Sequence, residues 1–393
     1  MDVETSLSWR GAYWYAGRRP IRSDNADLPE DLDVSLIDVF NRQRKPPTAL
    51  PAAVVVDVTQ IPEDIRESFF AWLATQLKSL PCEVPYYVLT CGNDDLPEDL
   101  RATGIIGRSV PDDVLLMLIC IQQRAILRTE EARIRRQIFG RIPGFGTAPH
   151  QSGTSGLLVV GLSGRFLEWQ AASEQKVEVI GAFDGAMASE FMTQRAFDAV
   201  VIDTEYEDTV DYMQQVRRDP RFAGLPVLAV CENQEDSVLL FRNGASDVLM
   251  GTHKKETLNK RLAAAIRFGK HRRLADRVLA ESHSWLRQQI NVGGLGTEFY
   301  SAYLETSSNA LATRGLDLWE MRLTPEYFNF PEEAHHQSED FNGTLLSIAD
   351  ATSRDEDLVC LVRDLGPVAV LKNEAGPRKL QKRINSILSH TVI

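Results

Sequence analysis

Two aspartates and one arginine–aspartate pair carry most of the chemistry in this sequence. Asp57 follows the run AVVV and Asp203 follows AVVI, so each stands at the carboxyl end of an apolar stretch. Open parallel sheets place their chemistry at the carboxyl ends of strands, which makes both carboxylates candidate phospho-acceptors. Arg354-Asp355-Glu356-Asp357 sets a guanidinium three residues before a carboxylate. An arginine fork donates two parallel hydrogen bonds to a phosphate or a base edge, while an aspartate accepts from N–H groups. As a bare string, this spacing is also what a solvated acidic loop produces.

Other candidates are thinner. His335-His336 has no further ligand at coordinating spacing and reads as a polar loop, so no metal is expected there. The GGLG run at 293–296 has no buried strand before it and is too short for a nucleotide-binding fingerprint. Cys82, Cys91, Cys120, Cys231 and Cys360 show no CxxC spacing and imply neither a zinc knuckle nor a disulfide framework. Trp9, Tyr13, Trp14 and Tyr15 cluster beside the isolated basic pair Arg18-Arg19, which fits core or interface better than a base-stacking platform.

The elements that must position these residues alternate apolar runs with amphipathic stretches, the pattern of a parallel sheet wrapped by helices. LLVVGLSG (157–164), VEVIGAF (177–183), FDAVVID (197–203), LPVLAVC (225–231) and SDVLM (246–250) read as five successive strands. A weaker copy of the same order has WRGAYWYAG as its first strand, PAAVVVDV (51–58) as its third, VPYYVLTCG (84–92) as its fourth and TGIIGRSV (103–110) as its fifth. Charged helical sequence follows each, at 122–139 and 255–290, and the second is long enough for one continuous signalling or dimerisation helix. Beyond residue 292, a helix, a strand (316–323), a second helix, a hairpin turning at 363–367 and a closing amphipathic helix describe an α+β domain.

The expected organisation is therefore two tandem doubly wound α/β domains and an α+β domain. The first spans 1–141 with its trailing helix, the second 155–275 and the third 292–393. A linker rich in Pro, Gly and Ser (142–154) and a linker helix (276–291) join them. The 393 residues allow roughly two to three domains, with 44% hydrophobic and 25% charged residues as in a folded globular chain. With 43 Lys+Arg against 55 Asp+Glu, the net charge of −12 argues against nucleic-acid polymers and anionic membranes while leaving room for a local basic pocket. No apolar run reaches bilayer length, and the start MDVETSLSWRGAYW lacks a signal-peptide pattern, so a cytoplasmic chain is expected.

The strand-end aspartates give both α/β units a resemblance to receiver domains of response regulators. In that family the acceptor needs an acidic pair for Mg²⁺ after the first strand, a Thr or Ser after the fourth and a Lys after the fifth. The second unit has Gly161-Leu162, Cys231 and Gly251 at those places; the first keeps Thr90, has Arg108 near the lysine position and offers no acidic pair in WYAGRR. Without carboxylates the cation lacks hard oxygen ligands, so both units are expected to act by docking.

The C-terminal segment SRDEDLVCLVRDLGPVAVL resembles the hairpin of GGDEF domains, the diguanylate cyclase fold. The family's signature turn falls on Arg363-Asp364-Leu365-Gly366-Pro367, where its leading glycines and acid are replaced. Thr297 replaces the base-reading Asn, Glu320 and Arg322 stand where the metal-binding strand carries aspartates, and only His335, with Glu339 for an Asp, remains of a further motif. Arg354 and Asp357 fit the family's RxxD product site, and Arg383 falls where the family supplies a second arginine across a dimer. The domain order resembles the PleD family and, with catalysis lost, its PopA-like effectors. That resemblance implies a polar adaptor, able to pair as a homodimer in the family's manner, that binds cyclic di-GMP without catalytic residues or cofactor. It also implies that the adaptor helps RcdA deliver the regulator CtrA to the ClpXP protease. Two other readings stand beside it: an active diguanylate cyclase making cyclic di-GMP from GTP, and a nucleotide-blind scaffold.

Overall fold

The computed structural model describes residues 9–20, 33–91, 93–145, 155–162, 164–173, 176–250, 253–328 and 338–390. His335, His336, Gly251 and most of the expected linker at 142–154 lie outside the described residues, as does the side chain of Glu339.

The first sheet forms from β1 (Tyr13–Ala16), β2 (Val34–Ser35), β3 (Ala53–Asp57), β4 (Tyr86–Thr90) and β5 (Gly104–Gly107), with α1 (Leu36–Asn41), α2 (Glu63–Lys78) and α3 (Asp112–Phe139) between and after them. The second uses β6 (Ser155–Val160), β7 (Val177–Ala182), β8 (Ala199–Ile202), β9 (Val227–Cys231) and β10 (Asp247–Met250). They alternate with α4 (Phe166–Ala172), α5 (Gly185–Gln194), α6 (Tyr206–Arg218) and α7 (Gln234–Arg242), and α8 (Lys255–Ile290) follows. Both sheets are fully parallel and share one strand order, 2-1-3-4-5 within each set. That is the flavodoxin-like doubly wound order, with a topological switch between the first and third strands. The central strands are buried on both faces, so Val54-Val55-Val56 and Ala199-Val200-Val201-Ile202 read as unbroken apolar runs rather than alternations.

The third sheet is antiparallel, ordered β11 (Trp319–Arg322), β13 (Gly366–Leu371), β12 (Leu358–Val362). α9 (Thr297–Ala312) precedes it, α10 (Ser338–Thr352) lies before the hairpin and α11 (Gly376–Leu388) closes the chain. Period two sends Leu358, Cys360 and Val362 to one face, where they meet Tyr300, Tyr303 and Trp285. Val359 and Leu361 face the other way, against Leu345, Leu380 and Ile384 of α10 and α11.

By packing, the chain divides into two compact units. One holds 11–123 and 151–273, with both parallel sheets; the other holds 1–10, 124–150 and 274–393, with the antiparallel sheet. α3 and α8 each run through both stretches of sequence. The apolar run VLLMLICI and the charged stretch 122–139 are thus one helix. The expected linker begins as packed chain, because Ile142 and Phe145 sit on the cluster around Phe139 and Trp285, with Phe145 edge-on to Trp285 at 5.4 Å. Within the first unit, the edge strands β5 and β10 meet. Asp247 accepts from the Gly107 amide at 3.1 Å while the buried Arg261 donates to it at 2.5 and 2.7 Å.

Candidate functional site

α10 ends at Thr352, and the backbone then folds into a tight turn. The Asp357 amide donates to the Arg354 carbonyl at 2.9 Å, and the Arg354 amide donates back to Asp357 Oδ2 at 3.3 Å. Local side-chain-to-backbone bonding of this kind is why Asp suits a turn and here fixes its carboxylate just before β12. Of the turn's three acids only Asp355 is exposed, for Glu356 and Asp357 are both buried.

Two arginines one helical turn apart on α3 make that burial tolerable. Arg124 reaches Glu356 at 2.9 Å and Arg128 at 2.8 Å, and Arg128 also reaches Asp355 at 3.0 Å and Asp276 at 2.6 Å. Burial alone would raise Glu356, but the two guanidinium groups overcome it and hold its carboxyl below the usual range. Further along the same face, buried Arg135 donates to the Asp357 carbonyl at 2.7 Å and pairs with Glu131, which also holds Lys372 and accepts from Tyr303 at 2.8 Å. Among the described residues Asp357 forms no ion pair of that kind. Burial, and then its neighbour Glu356, push it up to about 6.

The turn, the end of β13 and the first turns of α11 enclose a small cleft. Arg354, Asp357 and Arg383 all line it, together with Lys372, Asn373 and Lys379. The three residues that sequence singled out for one ligand therefore meet within a single chain, Arg383 being held there by a 2.8 Å bond to the Thr352 carbonyl. Four cations against the two carboxylates Glu356 and Asp357 give the lining a net +2 in a chain of −12. The cleft is small, about 30 Å³, so an anion of nucleotide size would lie across its mouth.

The turn at Arg363–Pro367 lies at the other end of β12, roughly 16 Å away at the rise of an extended strand. Asp364 and Gly366 both adopt positive φ, 65° and 86°. The Arg363 amide donates to Leu295 at 2.9 Å and the Leu365 amide to Val362 at 3.2 Å, while Thr297 Oγ1 donates to the Arg363 carbonyl at 3.1 Å. A phosphate cradle needs outward-pointing amides; these are committed to the fold, and Pro367 has none.

In the other unit, each strand-end aspartate is paired with an arginine. Asp57 accepts from Arg108 Nε at 3.0 Å and from the Thr59 hydroxyl and amide at 2.7 and 3.1 Å. Thr90 donates to Asp94 at 2.9 Å. Asp203 is bridged by both ends of the Arg165 guanidinium and accepts from Trp169 Nε1 at 3.1 Å. A guanidinium thus stands where a cation or phosphoryl group would need to enter. Cys231, beside it, is pushed up to about 11 by burial, so its thiol is not a nucleophile at neutral pH. Tyr13 and Trp14 are buried in this unit, as Trp9 is in the unit that holds residues 1–10, and Arg18 and Arg19 pair with Asp112 and Asp33. Among the described residues no group of His, Cys, Asp and Glu is placed to hold a metal ion, and no helix is long and apolar enough to cross a membrane.

The residues that spacing did not single out are Arg124, Arg128, Arg135, Lys372 and Lys379. For the three arginines the one local signal is the series 124, 128, 131, 135, which puts them and a glutamate on one face of a helix that begins with the apolar run VLLMLICI.

No protein-family model and no curated protein matches the chain. Solved structures resemble part of it. The chemotaxis response regulator CheY4 of Vibrio cholerae is 18% identical with a TM-score of 0.25, over 29% of this chain and 99% of its own. A putative response regulator from Chloroflexus aurantiacus is 22% identical, TM-score 0.25, over 29% and 99%. NtrX from Brucella abortus is 24% identical, TM-score 0.27, over 31% and 28%. The matched parts of these neighbours are CheY-like receiver domains of response regulators.

Proposed function

We propose that this chain is a catalytically inert receptor for cyclic di-GMP that works in signal transduction by recruiting proteins. The observation that carries this reading is the meeting of Arg354, Asp357 and Arg383 at one basic mouth. Arg354 and Arg383 supply forks for phosphate or a guanine Hoogsteen edge, and Asp357 accepts from guanine N–H groups. The frame RxxD–hairpin resembles the GGDEF product site, and the unit before it resembles paired receivers. The function is accordingly that of a PopA-like adaptor, bringing RcdA, CtrA and ClpXP together at the cell pole, with Asp57 and Asp203 unphosphorylated.

Ligand can act at a distance only by binding one arrangement of the chain better than another. The turn that carries Arg354 is gripped by Arg124 and Arg128 of α3, a helix that starts directly after β5. Ordering the turn therefore biases a helix shared with the parallel-sheet portion of the sequence.

Calorimetry with cyclic di-GMP tests the reading. Micromolar binding that disappears in Arg354→Ala supports it, and unchanged binding in that variant places the ligand elsewhere. A full absence of any melting-temperature shift with guanine dinucleotides would leave a nucleotide-blind scaffold. Incubation with GTP and Mg²⁺ tests inertness, since turnover would mean that the Arg363–Pro367 turn is catalytic after all.

A further inference from the structure

The carboxyl-end face of the second sheet carries a groove that cyclic di-GMP binding does not use. It measures about 630 Å³ and opens between the loops that follow β6, β7, β8 and β9. Two large apolar side chains stand at its mouth, Leu162 at 81% exposure and Phe183 at 68%, with Leu167 of α4 exposed to 70% nearby in sequence. A soluble surface rarely leaves two such side chains beside one concavity without a partner to cover them. The polar lining has one sign. Among the described residues of the lining, Asp203, Glu205, Asp208, Glu232 and Asp236 stand against one cation, Arg165, which leaves a net −4.

Arg165 is itself engaged by Asp203, and Trp169 donates to the same carboxylate. The groove therefore presents apolar side chains and acid, with its guanidinium already neutralised. Such a mouth repels phosphate, phosphopeptides and nucleic acid, and it attracts lysine and arginine. An occupant that satisfies both features must carry leucine-like side chains for Leu162 and Phe183 and positive charges for Glu205 and Glu232.

We propose that this face docks a cationic amphipathic segment of another protein. The proposal is independent of the nucleotide reading, because its residues lie in the other unit from Arg354.

The test uses the full chain and a fluorescent two-heptad peptide of leucine and lysine, read by anisotropy, with a leucine-free lysine–glutamine peptide of equal charge as control. The leucine-bearing peptide should bind, and the double variant Leu162→Asp/Phe183→Asp should weaken it at least about tenfold, as loss of central apolar anchors does. Glu205→Lys/Glu232→Lys should weaken it comparably and flatten its salt dependence. All four positions are exposed, so the fold and cyclic-di-GMP binding should survive, which separates this outcome from failure of the nucleotide reading. Equal binding of the leucine-free peptide would reduce the face to charge alone, and unchanged binding in the double variant would move the contact elsewhere. Failure of both peptides to bind, or self-association in sedimentation that the double variant abolishes, would equally overturn the proposal.

Discussion

Arg128 reaches Glu356 at 2.8 Å across 228 residues of sequence, and Glu356 has almost no exposed surface of its own. The two partners are not equivalent. Arg128 keeps Asp276 and Asp355 when Glu356 is removed, whereas Glu356 is left with the half-exposed Arg124 when Arg128 is removed. A buried charge stripped of a partner costs about 3 to 5 kcal/mol, and the remaining Arg124 offsets part of that. Arg128→Ala should therefore lower stability by about 2 to 3 kcal/mol and Glu356→Ala by less, measured by urea denaturation. The reverse order would mean that the turn does not depend on α3.

Little of this relationship was legible beforehand, and the reason is physical. Strands and helices announce themselves by period, and the apolar runs at Val54–Val56 and Val200–Ile202 became strands where that period placed them. β2, two residues at Val34-Ser35, is too short to show any alternation. The RxxD string was readable as a spacing but not as a place. Its acids looked like a solvated loop until α3 was seen to bury Glu356, and a contact across more than two hundred residues leaves no trace in local pattern. Arg383 was readable as a basic helix position; that it shares a mouth with Arg354 in the same chain is tertiary information.

Asp357 should link stability and the proposed cyclic-di-GMP binding with opposite signs. Its value of about 6 lies above the ordinary 3.9 of an unfolded chain, so between about pH 4 and 6 the folded protein holds the extra proton. Stability from this group is present below that window and is lost as pH rises through it. Asp357→Asn removes the cost and should stabilise the chain at pH 7.5 by about 1 to 3 kcal/mol relative to pH 5. The same variant loses a carboxylate acceptor, so it should bind cyclic di-GMP more weakly. In the wild type, affinity should fall roughly tenfold between pH 7 and 5 as the acceptor protonates, and in the variant it should stay flat. Calorimetry at the two pH values decides this, and a wild-type profile without slope would remove Asp357 from the site.

Asp203 should be a structural acceptor rather than a phosphoryl acceptor. Both its oxygens are taken by Arg165, and Trp169 donates to one of them. Asp203→Ala strands the buried indole N–H and releases the arginine, a loss of about 1 to 3 kcal/mol by the cost of an unsatisfied buried donor. Treatment with acetyl phosphate and Mg²⁺ should add no phosphoryl group to the wild type, read by intact-protein mass. A mass increase that Asp203→Ala abolishes would show that the guanidinium can be displaced.

Asp247 should hold the two parallel sheets together. It accepts from the β5 amide of Gly107 at 3.1 Å and from Arg261 at 2.5 and 2.7 Å, with both side chains almost wholly buried. Among the described residues, Asp247→Ala leaves Arg261 with the Val248 carbonyl alone and leaves the Gly107 amide without this acceptor. The expected loss is about 3 to 5 kcal/mol, the range for breaking a buried pair. Local readout distinguishes this from general weakening. Hydrogen exchange should accelerate at Gly107 and along β5 and β10 while the hairpin β12–β13, in the other unit, keeps its protection. Uniform acceleration across all three sheets would mean that Asp247 contributes to overall stability without joining these two edges.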